Sequence, residues 1–123
     1  MIETDLYSVL SSATQITTIT GTNIYPVVLP INTTATALTY RIVGTITDPT
    51  LDTSGLVKAR VQIDCWAADY NDAVTLRAAV ISVLNGYENA ATFAAQLLNQ
   101  SDSFAQDLLR YIATVEFFVL YDL

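Results

Sequence analysis

From Leu56 to Gly86 the chain reads LVKARVQIDCWAADYNDAVTLRAAVISVLNG, a half-buried strand that turns without a linker into a capped amphipathic helix. Val57, Ala59, Val61, Ile63, Cys65 and Ala67 alternate with Lys58, Arg60, Gln62 and Asp64. Successive side chains of a strand point to opposite faces, so this period of two predicts a sheet with one face in a core and one polar face. The helix that follows has three candidate N-caps, Asp69, Asn71 and Asp72, the first and last at capping-box spacing. Ala73, Leu76, Val80, Val83, Leu84 and Tyr87 share one stripe of it, opposite Asp72, Thr75, Ser82 and Asn85. Gly86 is placed to end it in a left-handed conformation.

The remaining segments follow from the same two periods. Ile2, Leu6, Val9, Leu10 and Ala13 recur at helical spacing behind an acidic start, which predicts a short helix. The β-branched residues of Thr14 to Thr22 disfavour its continuation. Ile24 to Pro30 holds two prolines that cannot donate to a ladder, so it is an edge strand or an extended connection. Leu38, Tyr40, Ile42 and Ile46 alternate with Thr39, Arg41, Val43, Thr45 and Thr47. A turn-rich loop of about eight residues then leads to Leu56, which predicts a hairpin with an exposed projection. Tyr111 to Tyr121 is a valine- and aromatic-rich strand. Asn89 to Gln100 is ambiguous, with helix-forming composition and an alternating Phe93, Ala95, Leu97.

These 123 residues make one domain, 1–123, of α+β class. The expected architecture is a mostly antiparallel sheet of four or five strands with two helices, near Ile2–Ala13 and Asp72–Asn85, packed on one face. Only 14% of the residues are charged, against about 25% for an average domain, which suggests surface committed to other chains. The formal charge of −7 argues against holding nucleic acid or an anionic membrane surface, although DNA can still pass nearby. No apolar run is long enough to span a bilayer, and the acidic start lacks the pattern of a signal peptide.

Candidate chemistry is sparse. Without histidine there is no imidazole base, serine triad or imidazole ligand, and four scattered glycines make no phosphate loop. Asp48 and Asp52 flank a turn, but DPTLD lacks the oxygen density of a calcium loop. Asp64 and Glu116 are expected as cross-strand partners of Lys58, Arg60 or Arg41, not as a catalytic carboxylate pair. Cys65, on the apolar face, reads as a buried inert thiol.

With this order in view, the chain resembles the tail completion, or tail terminator, proteins of long-tailed bacteriophages. The likeness rests on Gly21-Thr22-Asn23-Ile24-Tyr25-Pro26 with Leu29-Pro30 after the first helix, and on Val61-Gln62-Ile63-Asp64-Cys65-Trp66-Ala67. The latter runs through Asp69-Tyr70 into the helix ending Val83-Leu84-Asn85-Gly86. A loop at Ser101-Asp102-Ser103-Phe104 before the last strand completes it, and Leu108-Leu109-Arg110 departs from the more polar, turn-like residues usual there. The resemblance implies that Ala91–Asn99 is a strand, against its propensity. It also implies a structural virion protein, not an enzyme and without cofactor. Such a protein forms a homohexameric ring that caps the tail tube, stops its polymerisation and joins it to the head connector. Its partners are then itself, the tail tube protein and the head connector protein, with DNA in passage only and no membrane. Its place is the head–tail junction of the virion, after assembly in the host cytoplasm. The competing reading from another class is a small dimeric ligand-binding regulatory module.

Adjacent Phe117 and Phe118 must point to opposite faces of the last strand. Tyr111, Ala113, Val115, Phe117 and Val119 make the more continuous apolar face and are assigned to the core. That leaves Ile112, Phe118 and Leu120 on the outer side, covered by the same chain or by a neighbour. The resemblance favours the neighbour, and these three residues are the candidate subunit interface.

Overall fold

The computed structural model describes residues 2–30, 35–46, 56–89 and 93–122. In chain order these form α1 (Ile2–Ser12), α2 (Thr14–Thr20), β1 (Ile24–Pro26), β2 (Ala37–Ile46), β3 (Leu56–Ala67), α3 (Tyr70–Leu84), β4 (Phe93–Ala105) and β5 (Arg110–Asp122). The strands make one sheet in the order β1-β2-β3-β5-β4. The β1–β2 pair is parallel and the other three are antiparallel. The fold is therefore α+β, as its alternation implies.

β3 sits between β2 and β5, and its alternation decides which face is core. Val57, Ala59, Val61, Ile63, Cys65 and Ala67 are all buried, as are Ala113, Val115, Phe117 and Val119 across from them on β5. Ala73, Leu76, Val80 and Leu84 of α3 pack on this side together with Ile2, Leu6 and Leu10 of α1. All the helices thus cover one face. Asp69 is the N-cap of α3 and accepts a hydrogen bond from the Asn71 backbone N–H at 3.1 Å. Gly86, at φ +78°, follows the C-cap as expected. No described helix is long and apolar enough to cross a membrane.

Three expectations need correction. The threonine-rich stretch does form a helix, α2, so three helices line the face instead of two. Ile16 and Thr20, one turn apart, are buried there, and the Thr18 and Thr20 hydroxyls bond the carbonyls four residues back at 2.6 and 3.2 Å. Burial and local hydrogen bonds outweigh the weak β-branched preference. The segment Ser101 to Phe104 is not a loop: β4 runs through it to Ala105, in register with Ala113, Ile112 and Tyr111 of β5. Pairing with a long apolar strand carries a polar segment that has no alternation of its own. The register shifts between Leu97 and Asn99, a bulge at Leu98. The third is Tyr111, assigned to the core with Ala113, Val115, Phe117 and Val119 but 37% exposed, its ring resting on Tyr70 and Phe104 instead of in the core; α3 itself begins at Tyr70, directly after the candidate cap Asp69.

The strand expected at Ala91–Asn99 is present from Phe93, its first residues lying outside the described set. The β2–β3 pairing is the predicted hairpin, but its loop, with Asp48 and Asp52, also lies outside the described residues.

Candidate functional site: the open face of the sheet

Helices fill one face of the sheet, and the other carries the even-numbered residues of β3 and β5. Its middle is polar. Arg41 donates to Gln62 Oε1 at 3.3 Å, Gln62 to Asp64 Oδ1 at 3.1 Å, and Thr114 Oγ1 to Asp64 Oδ1 at 2.7 Å. Arg60 pairs with Glu116 at 2.8 Å. Asp64 and Glu116 do not face each other, since Asp64 lies opposite Thr114 and Glu116 opposite Gln62. Glu116 takes the cation expected of it, whereas Asp64 is held by an amide and a hydroxyl. A ladder of this kind fixes register, because a slip of one residue would turn its charges into the core.

The two ends of the open face are apolar. At one end Phe118 and Leu120 lie together, with the Lys58 ammonium 4.0 Å from the Phe118 ring centroid. Leu120 is 39% exposed and Phe118 is half-buried. They line a depression of about 410 Å³ with Lys58, Glu88, Ala94 and Gln96. At the other end Ile112 lies opposite Trp66, whose indole N–H donates to Thr39 Oγ1 at 3.0 Å. Arg110, only 4% exposed, reaches the carbonyls of Trp66 and Ala35 there, and burial lowers its pKa. Six strand residues, roughly 20 Å, separate Ile112 from Phe118. The structure thus brings Phe118 and Leu120 together but leaves Ile112 in a separate patch.

Cys65 is fully buried, and its thiol pKa is raised first by that burial and then by the neighbouring Asp64. An activated thiolate needs the opposite surroundings. Among the described residues no group of three acidic or cysteine side chains is placed to hold a metal ion. The chemistry of this face is that of contact: partnered charges in the centre, apolar groups at both ends.

The sequence pattern of a known family fits this chain over nearly its whole length, residues 4–122, and that family is Tail completion protein gp17. The chain belongs to the tail completion family. No curated protein matches it. Among solved structures, a chain of the virion of a native gene transfer agent particle shares the fold with a TM-score of 0.74. That match covers 95% of this chain and 91% of the other at 16% identity.

Two features of this tail completion protein escaped the reading of its sequence. Trp66 belongs to the open face by the same alternation that placed Asp64 there, so the signal was available. The junction after α3 also seals part of an edge. Gly86 donates to the Ala95 carbonyl at 3.1 Å, Ala95 to Tyr87 at 2.8 Å and Asn89 to Phe93 at 3.0 Å. This places Glu88 beside the Phe118 depression, a long-range result that no local period reveals.

Proposed function

We propose that this tail completion protein assembles as a homohexameric ring on the finished tail tube, stops tube polymerisation and presents the surface that meets the head connector. Family membership supplies the tail, and the open face of the sheet supplies the means of assembly. The observation that carries the reading is the Phe118–Leu120 patch on a sheet whose opposite face is already filled by helices. Full exposure of a large apolar side chain costs roughly 1.5–3 kcal/mol relative to burial; Phe118 and Leu120, partly covered already, keep a fraction of that cost for a neighbouring subunit to remove. Ile112 with Trp66 forms a second, smaller contact at the far end of the face.

The ring is a structural part of the virion at the head–tail junction, built in the host cytoplasm, and it needs no cofactor and catalyses nothing. Its partners are its own copies, the tail tube protein and the head connector protein. With −7 on each copy, its wall repels the DNA backbone and lets DNA slide past unheld. Negative-stain images and native mass measurement of the purified chain test this, and closed six-subunit rings are expected. A protein that stays monomeric at every concentration, or that retains duplex DNA at physiological salt, would overturn the reading.

A further inference from the structure

The β4–β5 hairpin ends in a turn over Gln106, Asp107, Leu108 and Leu109, closed by Leu108 N–H to Ala105 O at 3.2 Å and Leu109 N–H to Gln106 O at 3.3 Å. Leu109 has φ +52° and is 73% exposed; Leu108 is 51% exposed. A left-handed position at the tip of a hairpin favours glycine, asparagine or aspartate, and an exposed tip favours polar side chains. Leu109 meets neither preference within its own chain.

The arm that carries these leucines is braced. The Phe104 and Tyr111 rings meet edge-on at 4.8 Å, and Tyr70 of α3 packs on Tyr111 at 5.6 Å. Asp102 accepts from Tyr70 Oη at 2.8 Å and pairs with Arg77, which also donates to the Ser101 carbonyl at 2.9 Å. A tip held this way loses little freedom when it docks, which favours binding.

At the opposite end of the same two strands lies the depression between Phe118, Leu120, Lys58, Ala94, Gln96 and Glu88. The closing pair Ala105–Arg110 and the pair Ala94–Leu120 are separated along the hairpin by roughly 35 Å. The tip therefore cannot fill the depression of its own copy. Asp107 adjoins the leucines and can meet Lys58 on the receiving wall, while Glu88 on the same wall requires Asp107 to dock on the Lys58 side. We infer that Leu108 and Leu109 of one copy insert into the Phe118–Leu120 depression of the next. This rests on the ring reading above and names the element that covers Phe118. A second copy is favoured over another virion protein because one chain carries both the projecting apolar group and the hole. Because the two patches differ, the contact is heterologous and propagates head to tail, as a closed ring requires.

The test uses two full-length variants, with Leu108→Ser/Leu109→Gly at the tip and Gln96→Trp in the depression. The glycine relieves the left-handed strain and Gln96 is exposed, so both are expected to melt no lower than wild type diluted until its rings dissociate. Each alone should lose the ring by native mass spectrometry. Their equimolar mixture should give one-to-one dimers, since each retains the half the other lacks. If wild type forms rings and the tip variant does so equally well, the tip inference falls while the ring reading stands. If the tip variant forms rings but these no longer join tails, the tip binds another virion protein and the inference also falls. If wild type itself is monomeric, the ring reading fails first.

Discussion

The two faces of the β3–β5 pair are made from the same two strands and obey different rules. On the inner face Ala59, Val61, Ile63 and Cys65 meet Ala113, Val115, Phe117 and Val119, none more than 1% exposed. On the outer face the same register lines up Arg60, Gln62 and Asp64 against Phe118, Glu116 and Thr114, most of them half-exposed. The inner face is finished by its own chain. The outer face pairs its charges in the middle and leaves apolar groups partly open at its ends. Adjacent residues on one strand therefore lie in different surroundings, Phe117 fully buried and Phe118 only half so.

Phe117 and Phe118 offer the sharpest way to break that contrast. Phe117→Ser removes a fully buried ring and should cost about 3–5 kcal/mol or more, enough to unfold a marginal domain. Phe118→Ser removes a half-buried ring and its contact with the Lys58 ammonium, so the monomer should lose about 1–2 kcal/mol, well short of the Phe117 loss, while the ring is lost. Thermal unfolding and mass measurement on both variants decide it. Equal loss of monomer stability would mean that the outer face is internal core.

The inner face could be read from the sequence because alternation is a local property that burial on one side enforces. Every apolar position assigned to the core side of β3 is buried, and so is the α3 stripe at Ala73, Leu76, Val80 and Leu84. The outer side of β5 was legible as a face, and the strand rise already separates Ile112 from Phe118; the depression that Glu88, Ala94 and Gln96 close around Phe118 was not legible, because it joins distant segments. The second half of β4 was not legible at all. Its residues from Leu98 to Phe104 are exposed, and only their pairing with β5 makes them a strand. α2 was hidden for a similar reason, its threonines gaining from burial and from carbonyls within one turn what their propensity lacks.

The two ends of the outer face can be separated by Arg110. Its guanidinium ties Trp66 and Ala35 within one chain, so the Ile112 end is largely closed by the monomer. Arg110→Ala leaves those two carbonyls without this donor and should cost about 1–3 kcal/mol in a denaturant melt. Rings should persist, since the Phe118 end is untouched and the Ala105–Arg110 pair that closes the Leu108–Leu109 turn is made by backbone groups. Loss of rings with the monomer still folded would move the main contact to the Ile112 end.

The smallest expected effect lies at Asp102, which braces the hairpin tip beside Ala113, at the end of the sheet away from Phe118. Its pKa is lowered, first by the hydrogen bond from Tyr70 and further by Arg77, and the same bond raises the pKa of Tyr70. A carboxylate held below its ordinary value of 3.8 adds stability that is complete above that value and fades as pH falls through the depressed one. The Asp102 side chain is 43% exposed, so solvent screening leaves a contribution well under about 1 kcal/mol. Asp102→Asn should therefore leave the melting temperature at pH 7 almost unchanged. Protection of the amides at residues 105–109, taken relative to the intrinsic exchange rate at each pH, should fall in the variant at pH 7, and in wild type only after acidification below pH 3.8. Acidification should not lower that protection further in the variant, because the titrating group is gone. A large drop in melting temperature for Asp102→Asn would instead show the tip to be part of the core, and unchanged protection would show that Asp102 braces nothing.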